Sequence, residues 1–297
     1  MRSLIVLGLV GFVAQLVDGS LGMAYGVTSS TLLLATGVAP AAASAAVHFS
    51  EIGTTLVSGI SHHRLGNVDW RTVSIIAVPG GIGAFAGATF LSSIDGDTAK
   101  PWVAGLLLAL GVYVVYRFLL LGGRRPSFKN KVSAAFLMPL GLVAGLMDAI
   151  GGGGWGPVGT PSLLASGRME PRKVIGSIDT SEFVVAVGGS LGFLLALGSQ
   201  GIDFSIAAAL LIGGVIAAPL AAWLVKHIAP RVLGVAAGGL IILTNSKTIL
   251  ESLGAAGATV LVAAATIFVA WVVLIVWAVK QERLARAAEA ERQVVSA

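Results

Sequence analysis

Apolar runs follow one another along almost the whole chain, at about residues 3–17, 40–61, 72–92, 101–120, 132–147, 172–198, 204–225, 231–244 and 256–279. Most are roughly 17 to 25 residues long, the length a helix rising 1.5 Å per residue needs to cross a hydrocarbon layer of about 30 Å. Only 11% of the residues are charged and 56% are apolar, with a mean hydropathy of +0.93. A soluble domain would carry about 25% charged residues. The 40 glycines, with frequent Ala and Ser, suit helices that pack closely in lipid, where van der Waals contact replaces the hydrophobic effect. The expected fold is an all-α polytopic membrane protein.

Several function classes drop out early. There is no cysteine, so a disulfide framework, a thiolate metal site and a cysteine nucleophile are excluded. The net charge of +5 comes from basic residues in short segments between apolar runs, where cytoplasmic loops collect Lys and Arg. No basic stripe with interleaved aromatics exists, which disfavours nucleic acid as a partner. Residues 1–17 resemble a signal peptide, but no small-x-small cleavage site follows and Asp18 ends the run, so they read as the first span. No cofactor is expected.

The order of motifs indicates an internal duplication. Asp18 and Glu51 in the first half correspond to Asp148 and Glu182 in the second, LLLATG at 32–37 to SLLASG at 162–167, and Pro40 to Pro171. GNVDW at 66–70 likewise resembles QGIDF at 200–204. The expected organisation is a first transmembrane repeat at 1–121, a basic cytoplasmic linker at 122–131 and a second repeat at 132–250. An additional helix at 256–279 and a soluble or interfacial tail at 280–297 complete it. If the linker is cytoplasmic, Arg168, Arg172, Lys173, Lys226 and Arg231 count to the outside, against the positive-inside rule. Either the second half is inverted or the number of spans differs by one.

Each half contains a Gly-rich stretch too broken to span: DGSLGMAYGVTSSTLLLATG and DAIGGGGWGPVGTPSLLASG. Gly and Pro at this density end a helix and restart it. Irregular backbone at membrane depth survives only when buried in protein or lining a watery cavity. Paired interruptions in two halves are the best sequence pointer to a transporter's binding site. Consecutive bare N–H groups at a half-helix start can hold an anion. That points to Gly151, Gly152, Gly153, Gly154, Gly156 and Thr160 in the second half. In the first it points to Gly19, Ser20, Gly22, Gly26 and Thr28.

Charged residues within apolar runs need a reason, since insertion at the bilayer centre costs about 2.5–3.5 kcal/mol each. Asp18, Asp148, Asp179, Glu51 and Glu182 fit that description. They line a polar cavity and carry protons, or they cap half-helices; for Asp18 and Asp148 the two readings stand level. Ser44, His48, Glu51 and Thr55 share one helix face, and Asp179 and Glu182 repeat the His48 and Glu51 positions. His48 is a packing residue or a proton relay. His62 and His63 read as loop or headgroup residues beside Arg64. No Arg or Lys lies mid-span, so a bound anion would be repelled unless some carboxylates take up protons with it. The expected function is proton-coupled movement of a small oxyanion. The competing reading is a cation or metal carrier built on the same carboxylates and His48. An enzyme reading is weak, because His48 and Glu51 have no third strong ligand nearby in sequence.

The segment from VGFVAQLVDGSLGMAYG to GNVDW resembles the first repeat of the TauE/SafE family of sulfite exporters, also called the toluene sulfonate uptake permease family. GLVAGLMDAIGGGGWGPVGTPSLL followed by SIDTSEF is similar to its second repeat. The resemblance covers nearly all of residues 4–250. It implies a duplicated transporter of sulfite, sulfonates or related sulfur oxyanions, in the bacterial inner membrane and without ATP-binding machinery. It adds Met23 and Tyr25 to the candidate site, beside the Trp155 amide of the glycine-rich run. Homo-oligomer formation is left open.

Overall fold

The computed structural model describes residues 2–21, 25–120, 132–166, 168–169, 171–224 and 230–296. The expected linker at 122–131 lies outside them, as do Gly22 and Met23. The described residues form α1 (Arg2–Leu21), α2 (Tyr25–Ala35), α3 (Pro40–Arg64), α4 (Trp70–Ser92) and α5 (Gly96–Leu120). They continue as α6 (Ala134–Gly151), α7 (Trp155–Ala165), α8 (Pro171–Leu197), α9 (Phe204–Leu224), α10 (Pro230–Ser252) and α11 (Ala258–Ser296). A short 3₁₀ turn at Ser199–Gly201 precedes α9. No strand occurs among the described residues.

Among the described residues, five helices are long and apolar enough to cross a membrane: those around 70–92, 96–119, 134–151, 173–197 and 258–284. The fold is therefore all-helical and multi-pass. The expected run at 231–244 continues as helix to Ser252. Its polar continuation is satisfied inside the protein, where the buried Asn245 amide donates to Thr31 Oγ1 and to the Ile241 carbonyl, both at 2.9 Å. The last run and the tail form one uninterrupted helix, α11, rather than a span and a separate segment.

Glycine sets how closely the helices approach. A Cβ on Gly145 would lie 2.1 Å from the Gly80 carbonyl oxygen, and one on Gly213 2.0 Å from that of Gly8. Backbones of α4 and α6, and of α1 and α9, thus touch directly, the small-residue packing that lipid demands. Helices α3 and α8 run antiparallel: His48 lies against Gly189, Gly59 against Thr180 and Asn67 against Gly176. So do α5 and α10, with Gly111 against Ile241 and Phe118 against Gly234.

Polar side chains are embedded in an otherwise apolar core, and the periphery is apolar too. Thr28, Ser30, Thr31, Ser44, His48, Ser50, Glu51 and Asp148 are buried, whereas Leu142, Ile212 and Phe90 are exposed. That arrangement is the one expected where the surroundings are hydrocarbon.

Candidate functional site

The two helix breaks cross. A Cβ on Gly26 would sit 2.6 Å from both the Gly152 oxygen and the Gly153 Cα, and one on Gly153 would sit 2.0 Å from Val27 N. Ser30 Oγ donates to the Gly152 carbonyl at 2.7 Å, and Ser44 Oγ to that of Ala149 at 2.6 Å. Carbonyls freed where α6 stops are thus satisfied by hydroxyls of the first half. Gly152 has φ +65° and Gly153 φ +158°, so the turn requires residues without a Cβ.

Each break is closed by its own aspartate. Asp148 Oδ1 accepts from Gly154 N at 2.6 Å and Trp155 N at 3.0 Å. Asp18 Oδ1 accepts from Tyr25 N at 3.1 Å. Tyr25 and Trp155 both lie seven residues after their aspartate, at the first positions of α2 and α7. Both aspartates therefore cap half-helices, using the orphan donors and the positive end of the dipole. The Gly154 and Trp155 amides, expected to face an anion, are held by Asp148. Trp155 is fully buried and its indole N–H donates to the Ile178 carbonyl at 3.0 Å.

The remaining oxygen of Asp148 meets a histidine from the other half. His48 Nε2 is 3.3 Å from Asp148 Oδ2, and His48 Nδ1 is 2.9 Å from the Ser44 carbonyl oxygen. A carbonyl only accepts, so Nδ1 carries a proton and the tautomer follows. The Nε2–Oδ2 contact then requires a second proton, or another cation, between its two atoms. Beside it, Glu51 is 1% exposed and neither carboxylate oxygen has a hydrogen-bond partner among the described residues. One ligand atom from each of His48, Glu51 and Asp148 lies within 4.8 Å of the others, so a single cation could be shared among them. Asp148 is the third ligand missing near His48 and Glu51 in sequence.

Two narrow clefts, each with a volume of about 10 Å³, room for about one water molecule, adjoin this cluster. Asp18, Tyr25, Asp179 and Glu182 line both. The first also meets Gly26, Gly153, Gly154 and Gly156, the second Gln15, Glu51, Thr55 and Ser58. Among the described residues, no Lys or Arg lines either cleft. The Tyr25 hydroxyl is 3.1 Å from Ser50 Oγ and donates to the Leu210 carbonyl at 3.4 Å. Thr28 and Thr160 are buried, and neither hydroxyl has a partner among the described residues.

Other expected residues fall differently. Gly19 and Ser20 belong to the last turn of α1, and Gly151 ends α6. His62 is not a loop residue but part of α3, with Nε2 3.7 Å from Asp179 Oδ2. Gln15, Ser30 and Ser58 were not singled out from sequence. The signal for Ser58 and His62 was their spacing of seven and eleven from Glu51, which continues its helix face.

Residues 7–248 match the family described as sulfite exporter TauE/SafE. The chain belongs to that family. It is 51% identical over 254 residues to the probable membrane transporter protein YtnM of Bacillus subtilis, covering 84% of each chain. A probable membrane transporter protein of Xylella fastidiosa is 28% identical over 76% of this chain and 87% of its own. YdhB of Bacillus subtilis, also named a probable membrane transporter protein, is 25% identical over 48% of this chain and 58% of its own. No solved structure matches. This TauE/SafE member is an integral, multi-pass membrane protein of a transporter family.

Proposed function

We propose that this TauE/SafE protein is a secondary transporter of a small sulfur-containing oxyanion, sulfite, a sulfonate or a similar ion, moved together with protons. The observation that carries the reading is the crossing of two glycine-rich breaks beside clefts lined by Asp18, Glu51, Asp148, Asp179 and Glu182 and, among the described residues, by no Lys or Arg. An oxyanion among these carboxylates would be repelled unless they bind protons. Capping sharpens the argument. The Asp18 and Asp148 carboxylates occupy amides that an oxyanion would use, so substrate has to displace them. A proton taken up by such a carboxylate weakens its hold on the amides and lowers the repulsion at once.

The duplication supports a site between the halves. Tyr25 N to Asp18 and Trp155 N to Asp148 are the same bond at the same offset, as are Ser50 Oγ to the Val47 carbonyl and Ser181 Oγ to that of Ile178. Corresponding helices α3 and α8 are antiparallel, the relation that inverted repeats have. Inversion accounts for the orientation conflict in the loop charges.

The test is transport by purified protein in proteoliposomes, with sulfite, sulfoacetate and thiosulfate offered with and without an imposed pH gradient. Gradient-driven movement of at least one of them is expected, lost in Glu51→Gln. Indifference to the gradient rules out the coupling. A cation reading is favoured by the proximity of His48, Glu51 and Asp148. Thermal stabilisation decides between the two, since a ligand at a hundred times its Kd adds about 2.7 kcal/mol. Stabilisation by divalent cations alone rules out the oxyanion.

A further inference from the structure

Glu51, Thr55, Ser58 and His62 recur at spacings of four, three and four along α3 and so form one face. Eleven residues separate Glu51 from His62, a rise of about 16 Å, which is about half the hydrocarbon thickness. The neighbouring face of α3 carries Leu56, Val57 and Ile60, all exposed as lipid-facing residues are. The polar face is turned inward, and the second cleft follows it from Glu51 past Thr55 to Ser58, with Asp179 of α8 opposite. Exposure rises along it, from 1% at Glu51 to 14% for the Asp179 side chain and 25% for His62.

The other direction is closed. Beyond Glu51, His48 is fully buried, packed on Gly189 and set edge-on against the Phe193 ring at 5.7 Å. Ser44 is committed to the Ala149 carbonyl. Along α3, polar side chains therefore lead out of the cleft toward the membrane face at which α3 ends. At its end, His62 Nε2 and Asp179 Oδ2 stand 3.7 Å apart, outside hydrogen-bond range, and neither Asp179 Oδ2 nor His62 Nδ1 has another partner among the described residues. Asp179 is the titratable group facing His62. His63 and Arg64 of α3, Asp69 and Arg71 at the start of α4, and Lys173 at the start of α8 lie at the same end.

We propose that this stripe is the route by which water and protons pass between the carboxylate cleft and the membrane face at which α3 ends, with the His62–Asp179 pair as its gate. The purpose of the route rests on the transport reading, but its existence is testable without transport. The chain has no cysteine, so Ser58→Cys gives a single thiol, and Leu65→Cys, at an exposed position beyond α3, marks the side. A membrane-impermeant methanethiosulfonate added to one side of sealed vesicles should label both variants from the same face and neither from the opposite one. A gate open a tenth of the time or less predicts that His62→Ala speeds Ser58→Cys labelling by at least about tenfold. His62→Gln serves instead if the alanine variant is not monodisperse.

Failure of Ser58→Cys to label from the Leu65→Cys side overturns the route, as does labelling from the opposite side. An unchanged rate in both His62 variants overturns the gate. Labelling as expected in a protein that moves no oxyanion removes the transport reading and leaves the route standing. Transport without labelling does the reverse.

Discussion

The two breaks occupy corresponding positions yet are finished differently. At the second, Asp148 is buried, binds two amides through one oxygen and turns the other toward His48. At the first, Asp18 is half-buried, binds one amide and lines both clefts with a second acid, Asp179. In the proposed duplication, Asp179 is the counterpart of His48. One crossing thus pairs a histidine with an aspartate and the other sets two aspartates around narrow clefts. The first is a built joint that fixes the helices. The second is an arrangement of acids around clefts that a solute has to widen to enter.

Three substitutions test that contrast and a fourth, elsewhere, sets a baseline, from large effect to small. Gly153→Ala should prevent folding, because its Cβ would fall 2.0 Å from Val27 N. The cost is expected at or above the upper end, about 3 kcal/mol, of overpacking penalties, read as loss of monodisperse protein. Asp148→Asn removes the charge facing buried His48 and should destabilise by about 3 kcal/mol, as breaking a buried pair does. Asp18→Asn should cost about 1 kcal/mol, the scale of an N-cap, while altering the pH dependence of transport. Equal losses of thermal stability in the two Asn variants would end the distinction between joint and site.

The smallest effect belongs to Asp203, outside the spans at the start of α9. Hydrogen bonds from the Ser205 hydroxyl and backbone hold its carboxyl below the usual carboxylate range. A depressed folded-state value means stability that is present above the ordinary value of about 4 and lost as pH falls through the lower one. Because Asp203 is exposed, Asp203→Asn should change thermal stability by no more than a few tenths of a kcal/mol, visible only above pH 4.

Apolar run length was enough to find the helices, because crossing a bilayer imposes a length and a composition together. Boundaries drifted where polar residues are satisfied from afar: Asn245 interrupts an apolar run, but its partner Thr31 lies on α2. The glycine-rich breaks and their carboxylates were legible too. What those carboxylates touch was not. His48 and Asp148 are a hundred residues apart, and no periodicity pairs them. Nor does sequence say whether an aspartate beside a helix start will turn its oxygens onto the amides; that depends on the loop conformation that Gly152 and Gly153 permit.

Helix α11 lies beyond the family-matched region and is held against α10 through Trp271, whose indole N–H donates to the Val235 carbonyl at 3.1 Å. Its 39 residues measure about 58 Å, while the hydrocarbon layer takes up about 30 Å. The surplus is a stiff mast rising from the bilayer, continuous with a span and remote from the crossing breaks. A rigid marker protein joined in helical phase near its end would inherit the orientation of the whole transporter, giving electron microscopy a particle large enough to align.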